Sequence, residues 1–205
     1  MAEKRKIPAA VMRRLPRYYR YLTKLMEKDI WRISSKELAE RMGVTSSQVR
    51  QDLNFFGSFG QQGYGYNVES LRKEIEYILG MDKQYTMVLV GAGGIGSALT
   101  HNKSLAESGF DFVATFDDEA GLEQYLSTNS VDIVVVDLPD TEIAPIIKIL
   151  AKSDIGGVWN FSAEEMQLPK TIKIENFPLM DSLAMLTYKL NEETLADEAG
   201  TPHVW

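Results

Sequence analysis

The apolar and polar residues of this chain follow two different periodicities, and the change between them lies near residue 80. Between residues 34 and 56 the periodicity is helical, because Val49, Leu53 and Phe56 recur at the spacing that faces a core. From residue 85 onward, short apolar runs predict strands at 85–90, 112–116, 131–136, 156–161 and 171–175. Helices are expected at 141–152 and 179–190. This second pattern predicts an α/β fold with a doubly wound parallel sheet.

The segment from residue 34 to residue 53 predicts two capped helices around a tight turn. Ser34 and Glu37 have the spacing of a capping box, and so do Thr45 and Gln48. Gly43 stands where the first of the two helices must end. Two short helices joined by such a turn are typical of a helix-turn-helix unit.

The outer side of the second helix carries Ser47, Arg50, Gln51 and Asn54 at helical spacing. This stripe is polar and mostly uncharged, which is the chemistry that pairs with base edges in a major groove. The glycine-punctuated tract 57–66 then predicts a β-hairpin wing. An ordinary helical hairpin with a solvated face is the alternative, and the two capping patterns, the turn and the wing together argue against it.

Charge is divided unevenly between the two parts of the chain. The net charge of the whole chain is −7, but residues 1–52 carry a balance of +7 and the remaining 153 residues a balance of −14. The basic excess includes Lys4, Arg5, Lys6, Arg13, Arg14, Arg17, Arg20 and Lys24. Such cations can neutralise phosphates, so we expect the amino-terminal part to meet nucleic acid and the acidic remainder to face away from it.

A glycine-rich loop, Gly91–Gly96, directly follows the predicted strand at 85–90. Gly91 permits a tight turn, Gly93 lets the backbone approach a pyrophosphate, and Gly96 packs a helix on the sheet. Asp117 lies 26 residues after Gly91, near the usual place of the acid that binds the ribose. We therefore predict a dinucleotide site made by Gly91, Ala92, Gly93, Gly94, Ile95, Gly96 and Asp117.

Composition excludes several classes of site. The chain has no cysteine and two isolated histidines, His101 and His203, so we expect neither a metal site nor a catalytic proton donor. No apolar run approaches the ~20 residues of a membrane span, and no apolar stretch follows the charged start. We expect a cytoplasmic protein without a membrane partner and without enzymatic activity.

Several motifs recur together over nearly the whole chain. They are Arg14-Leu15, Tyr18, 34–38, 43–46, 48–50, 52–53, 56–60, Gly63, 65–66, 90–93, 116–117, 156–161 and 168–169. In these residues the chain resembles the Rex family of redox-sensing transcriptional repressors. The resemblance implies a homodimer that binds palindromic operator DNA when NAD⁺ dominates and releases it when NADH binds.

The resemblance also implies a division of labour along the chain. Residues 1–80 would form a winged-helix DNA-binding domain, 81–176 a Rossmann-type domain that senses NAD(H), and 177–205 a dimerisation helix, swapped between partners, with its tail. The nucleotide would be a sensed ligand rather than a redox substrate. The implied contacts with double-stranded DNA are Arg14, Ser34, Thr45, Ser46, Ser47, Gln48, Arg50, Gln51, Asn54, Gly60, Gln62, Gly63 and Tyr66.

Some positions depart from the family pattern. Gln51 replaces a usual lysine, and Gln61-Gln62 replace a usual cation in the wing. Arg20 matches an arginine of the family that pairs with an aspartate or a tyrosine. In this chain Pro178 occupies the aspartate position and Asn102 the tyrosine position. The segment 118–130, between Asp117 and the next predicted strand, is shorter than the corresponding segment of the family. These departures leave open a Rex-like regulator with lost or changed NADH sensing. A small NAD(P)-dependent enzyme and a nucleotide- or CoA-binding scaffold are the alternatives from other classes.

Overall fold

A computed structural model of the chain describes residues 7–56, 60–61, 64–91, 93–177 and 179–199. The chain divides into two compact units, Met1–Lys83 and Gln84–Trp205, which we call the first unit and the second unit.

The first unit combines short helices with a small antiparallel sheet. In its described part the helices are α1 (Ala9–Met12), α2 (Leu15–Met26), α3 (Ser35–Met42), α4 (Ser46–Leu53) and α5 (Val68–Leu79). The strands are β1 (Arg32–Ile33), β2 (Gly60–Gln61) and β3 (Gly65–Asn67), in the order β1-β3-β2. This arrangement confirms the predicted helix-turn-helix with a wing.

The core of the first unit lies between its helices. α2 buries Leu15, Tyr18, Leu22 and Leu25 on one stripe, because these residues recur at helical spacing. α5 presents Val68, Leu71 and Ile75 to the same core. Buried side chains of α3 and α4 complete the cluster, so the two helices of the turn unit are held from behind.

The second unit is built on a five-stranded, wholly parallel sheet. Its strands are β4 (Tyr85–Val90), β5 (Phe110–Phe116), β6 (Val131–Val136), β7 (Ile155–Asn160) and β8 (Lys173–Asn176), in the order β5-β4-β6-β7-β8. The described helices are α6 (Gly94–Thr100), α7 (Lys103–Glu107), α8 (Glu119–Thr128), α9 (Ile143–Leu150) and α10 (Leu179–Ala199), with a 3₁₀ turn at Asp140–Glu142. The predicted α/β class is confirmed.

Both faces of this sheet are covered. Alternate residues of β4 point to opposite sides, so Val88 and Val90 join a cluster with α8 and α9, whereas Met87 and Leu89 join a second cluster. The strand order reverses direction at β4, between β5 and β6. In open parallel sheets, ligands bind beyond the carboxyl ends of the strands at such a switch point.

Among the helices in the described residues, none has the length and apolar character that crossing a membrane requires.

Candidate nucleic-acid interface and nucleotide site

The first helix of the turn unit begins with a complete capping box. The Glu37 backbone N–H donates to Ser34 Oγ at 3.1 Å, and the Ser34 N–H donates to Glu37 Oε2 at 2.9 Å. The hydrogen bond from the Ser34 backbone, aided by that with its side chain, lowers the pKa of Glu37. α3 then ends at Gly43, whose φ of +63° favours glycine. Ser34 therefore fixes where α3 begins, whatever else it contacts.

The second helix begins with only half of the expected box. Thr45 Oγ1 accepts from the Gln48 N–H at 3.1 Å, as the spacing predicts. The Gln48 side chain does not return to Thr45, and its Nε2 donates to Asp52 Oδ1 at 2.8 Å instead. The prediction of a reciprocal box at this helix was wrong, because the buried Asp52 carboxylate one turn further on draws the Gln48 amide away from the Thr45 N–H.

The outer face of α4 is open to solvent. Val49 and Leu53 are buried on its inner side, whereas Ser47, Arg50, Gln51 and Asn54 are exposed. Thr45 is exposed as well, and Ser46 is half-buried. The chain therefore presents the predicted polar stripe on a helix whose opposite side is fixed in a core.

Arg50 is the cation of this stripe, and it is held by two hydroxyl groups. Its Nη1 donates to Ser35 Oγ at 3.2 Å and its Nη2 donates to Ser47 Oγ at 3.3 Å. Both acceptors are neutral, so the guanidinium keeps its full charge at the surface. Its remaining donors suit the bidentate acceptor pair that guanine offers in a major groove.

A buried carboxylate ties α4 to the start of α2. Asp52 is fully buried, and Arg14 donates to it through Nε and Nη2, each at 2.7 Å. Tyr18 Oη at 3.0 Å and Gln48 Nε2 at 2.8 Å also donate to it. Burial alone would raise the pKa of Asp52, but the hydrogen bonds and the Arg14 charge outweigh it and lower the pKa.

Two of the expected DNA contacts, Arg14 and Gln48, donate to Asp52 in this network. Arg14 points two of its three nitrogens inward to Asp52, and the amide of Gln48 does the same with its donor. The sequence missed this network, although an aspartate between buried Val49 and Leu53 was its signal, because a buried carboxylate requires donors. Arg13, Arg17, Arg20 and Lys24 are exposed, as a phosphate-contacting surface requires.

The wing is an antiparallel ladder in which Gly60 pairs with Tyr66 and Gln61 with Gly65. Gly65 has a φ of +72°, and a Cβ there would lie 2.7 Å from the carbonyl oxygen of Ile33, so the position requires glycine. Tyr66 is half-buried against the core of the first unit. The expected contacts Gln62 and Gly63 lie outside the described residues.

The predicted dinucleotide loop lies between β4 and α6. Gly91 has a φ of +111°, and a Cβ there would overlap the backbone carbonyl of Asp137. Gly96 is buried, and a Cβ on it would lie 2.5 Å from the Leu89 side chain, so this glycine packs α6 on the sheet. Gly94 has open space around it and Ile95 is half-buried. Ala92 lies outside the described residues.

Gly93 has a neighbour that the sequence did not predict. A Cβ on Gly93 would overlap the carboxylate of Asp137, and Asp137 Oδ2 accepts from the Gly96 N–H at 2.6 Å. The close approach that Gly93 permits is thus made by a side chain of this chain. An acidic residue directly after β6, at the edge where ligands bind, was the available signal.

Asp117 stands at the carboxyl end of β5, beside a cavity of about 370 Å³. Its neighbour Asp118 is engaged, because its Oδ1 caps α8 by accepting from the Gly121 N–H at 2.7 Å. Asp117 is exposed, and it follows β5 at the edge where parallel sheets bind ligands. The cavity is lined by Val90, Asp117, Asp118, Glu119, Leu138, Thr141, Glu142, Pro145 and Ile146.

A second cavity, of about 340 Å³, lies at the carboxyl ends of β6 and β7. Buried Asn160 holds two residues of the cavity lining, since its Nδ2 donates to the Glu164 carbonyl and to Asn176 Oδ1, each at 2.9 Å. Its Oδ1 accepts from the Ser162 hydroxyl at 2.6 Å. The sequence suggested a strand here but no site.

One position that departs from the family pattern, Asn102, has a local partner. Asn102 caps α7 by accepting from the N–H and the hydroxyl of Ser104 at 3.1 and 2.8 Å. His101 is exposed, and its Nδ1 lies 2.8 Å from the Ser97 carbonyl. Pro178 and His203 lie outside the described residues. In the part of the chain that the structure describes, no three acidic or histidine side chains gather as a metal site would require.

The carboxyl-terminal helix α10 carries apolar side chains that its own protomer leaves uncovered. Leu179, Leu183, Leu186 and Leu190 are each about half exposed or more, and so are Met180, Met185 and Tyr188. Exposed apolar patches of this kind mark protein–protein contacts.

Comparison with known proteins gives consistent matches. A family model described as "Putative DNA-binding protein N-terminus" matches residues 6–54. A protein named "Redox-sensing transcriptional repressor Rex" from Thermoanaerobacter pseudethanolicus is 43% identical over 211 residues, covering 95% of this chain and 94% of the relative. One of the same name from Clostridioides difficile is 44% identical over 208 residues, covering 94% and 99%.

Solved structures match at similar identity. The structure described as "Crystal structure of RSP in complex with beta-NAD+ and operator DNA" has a TM-score of 0.88 at 39% identity, covering 97% of this chain and 99% of that one. The structure described as "Crystal structure of RSP in complex with beta-NADH" has a TM-score of 0.83 at 37% identity, covering 94% and 98%. RSP is described as a Rex-family repressor.

Proposed function

Because this chain belongs to the Rex family of redox-sensing transcriptional repressors, we propose that it represses transcription by binding operator DNA as a homodimer. NAD⁺ and NADH are the sensed ligands, and NADH lowers the affinity for DNA. A regulator of this kind works in the cytoplasm, where the bacterial genome lies. The observation that carries the proposal is the exposed stripe of α4, with Arg50 held at its centre.

The chemistry of α4 supports readout of bases in a major groove. Arg50 supplies the charged donor fork, and Ser47, Gln51 and Asn54 supply neutral donors and acceptors on the same face. Arg14 acts from behind, because its bonds to Asp52 tie α4 to the start of α2, and Gln48 donates to the same carboxylate from within α4. The wing strands β2 and β3 lead towards Gln62 and Gly63, which we assign to the adjacent minor groove.

The cations that neutralise phosphates are the exposed ones of the first unit. Arg13, Arg17, Arg20 and Lys24 are exposed, and none of these four has an ion-pair partner among the described residues. They supply the sequence-independent and salt-dependent part of DNA affinity. With Gln51 in place of a lysine, this chain depends on hydrogen bonding more than on charge at that position.

The second unit supports NAD(H) binding at the edge where β4, β5 and β6 end. The positive φ of Gly91 makes the tight turn, and buried Gly96 brings α6 close to the sheet. Asp117 is positioned to accept hydrogen bonds from ribose hydroxyls. The nucleotide supplies no redox chemistry here. We assign no catalytic role to His101, whose Nδ1 lies 2.8 Å from the Ser97 carbonyl.

The leucines of α10 support dimerisation. A protomer that leaves Leu183 and Leu186 half exposed gains by burying them against a second copy, at about 25 cal/mol per Å² of apolar surface. We assign residues 177–205 to this contact, with α10 exchanged between partners. Two copies present two α4 helices, as a palindromic operator requires.

A gel-shift titration tests the proposal. The DNA is the operator bound by the solved relative, at fixed salt, and the titrants are NAD⁺ and NADH. We expect a retarded complex with NAD⁺ that micromolar NADH dissolves. Arg50→Ala should weaken the complex at least tenfold, because a bidentate base contact contributes about 1–3 kcal/mol. Lys73→Ala removes an exposed cation of α5 and serves as the matched control.

Two results would contradict the proposal. If the protein retards neither this operator nor any promoter fragment, it is not an operator-binding repressor. If it binds DNA equally with NAD⁺ and with NADH, the sensing half of the proposal is wrong.

A further inference from the structure

The loop that would receive a dinucleotide already holds an anion of the chain itself. Asp137 follows β6 directly, and its backbone N–H donates to the Val90 carbonyl at 3.0 Å, which fixes the residue beside the end of β4. From there its Oδ2 accepts from the Gly96 N–H at 2.6 Å. One backbone hydrogen bond therefore fixes the main chain of Asp137 at the end of β4, and the Gly96 N–H holds its carboxylate at the start of α6.

Two glycines of the loop lie so close to Asp137 that neither has room for a side chain. A Cβ on Gly93 would overlap the Asp137 carboxyl group, and a Cβ on Gly91 would overlap its backbone carbonyl. Gly94, in contrast, has nothing within 4 Å of the place of its Cβ. Gly93, the glycine that meets the Asp137 carboxylate, is the one that a pyrophosphate would approach in a dinucleotide fold.

A carboxylate in this place opposes a bound pyrophosphate for two reasons. It occupies a backbone N–H at the helix start, where the partial positive charge otherwise favours an anion. It also adds a negative charge next to two phosphates, at a range where like charges repel strongly. The adjoining cavity wall adds Asp117, Glu119 and Glu142 but no lysine or arginine. No lysine or arginine forms an ion pair with Asp137 within the described residues.

We infer that Asp137 is a negative determinant of dinucleotide affinity in this protein. Its carboxylate competes with the pyrophosphate for the amino end of α6, so the sensor responds at higher NAD(H) concentrations than it would with a neutral residue. This inference rests on the proposed function, because it concerns the affinity of the same site.

Calorimetric titration of the full-length protein with NADH and with ADP-ribose tests the inference. Asp137→Asn removes the charge but keeps an oxygen that can accept from the Gly96 N–H. We expect it to tighten NADH binding about tenfold, the order expected for one like charge at a partly solvated site. ADP-ribose contains the pyrophosphate without nicotinamide, so it should gain equally. Asp140→Asn, an exposed charge removal three residues along, should change neither affinity.

Each outcome decides one question. If wild-type protein binds NADH and Asp137→Asn binds it equally or more weakly, the inference fails while the proposed sensing stands. If only Asp137→Asn binds NADH, the inference is supported and sensing by the wild-type protein fails. If neither binds, both fail. A gain confined to NADH would overturn the competition with pyrophosphate. Asp137→Ser, a second neutral variant, must show the same gain and covers the case in which Asp137→Asn does not fold, as judged by its melting curve.

Discussion

The buried carboxylate of Asp52 makes the first unit sensitive to one residue, Arg14. Arg14→Met keeps most of the apolar stem but removes two hydrogen bonds of 2.7 Å and the only ion-pair partner of Asp52 among the described residues. The carboxylate would then stay buried with Tyr18 and Gln48 as its donors. We expect the free energy of unfolding of the first unit to fall.

The size of this fall follows from the surroundings. Removing one partner of a buried ion pair costs about 3–5 kcal/mol, because it leaves an uncompensated charge. The Arg14 side chain is 28% exposed and two neutral donors remain, so the lower end, about 3 kcal/mol, applies. With an m-value of about 1.5 kcal/mol/M, the urea midpoint should fall by about 2 M.

Urea unfolding measures this change in the first unit alone when it is monitored by hydrogen exchange of peptides from α2 and α5. Arg17→Met is the matched control, because Arg17 is exposed on the same helix and surface changes stay within about 0.5 kcal/mol. If Arg14→Met costs no more than Arg17→Met, the pair with Asp52 does not stabilise the unit and our reasoning is wrong.

DNA binding measurements distinguish two roles for Arg14, which are positioning α4 through Asp52 and contacting a phosphate directly. If Arg14 acts through Asp52, Arg14→Met should weaken operator binding without changing its salt dependence. A lost phosphate contact would instead reduce the slope of log K against log salt by about 0.9 for each protomer, about 1.8 for the homodimer. A reduced slope would restore Arg14 to the contacts expected from the sequence.

The same network predicts how stability changes with pH. The folded-state pKa of Asp52 is lowered, so its stabilising effect is present above its unfolded pKa, near 3.9, and is lost as pH falls through the lower folded value. The difference in unfolding free energy between wild type and Asp52→Asn should therefore be constant from pH 7 to about pH 5 and shrink below about pH 4. A difference that grows on acidification would contradict this.

Three further predictions concern other parts of the chain. Gly91→Ala should destabilise the second unit by about 2 kcal/mol or more in calorimetry, because of its positive φ and the Asp137 carbonyl, whereas Gly94→Ala should be nearly neutral. Gln51→Lys should steepen the salt dependence of operator binding by about 0.9 for each protomer, about 1.8 for the homodimer, as measured by fluorescence anisotropy, and an unchanged slope would place Gln51 away from phosphates. Leu183→Glu should shift the dimer to monomer in sedimentation, whereas Glu192→Lys, an exposed charge change about 180° around α10, should not.

What could be predicted from the sequence was mostly local. The strands at 85–90 and 131–136 have the predicted bounds, because each is a continuous apolar run between turn residues. The capping box of Ser34 and Glu37 spans three residues, and the turn at Gly43 needs only a positive φ. Such features depend on neighbouring residues, so their patterns are legible in one sequence.

What could not be predicted joins distant residues. Arg14 and Asp52 are 38 positions apart, and the Gly96 N–H and Asp137 are 41 apart. The sequence placed Arg14 in a basic segment. Whether its charge faces DNA or Asp52 depends on how the start of α2 packs against α4. Likewise the glycine spacing predicted a close approach at Gly93, while the group that approaches depends on where β6 ends relative to β4.

The two carboxylates differ in a way that bears on how this protein is tuned. Asp52 is buried and receives four hydrogen bonds, two of them from a cation, so changing it disturbs the helix that reads DNA. Asp137 is half-buried and its side chain is held by one backbone N–H, so a neutral replacement should leave the sheet intact. Because the affinity for NAD(H) sets the NADH level at which DNA is released, a single substitution at Asp137 can reset that level without changing the operator.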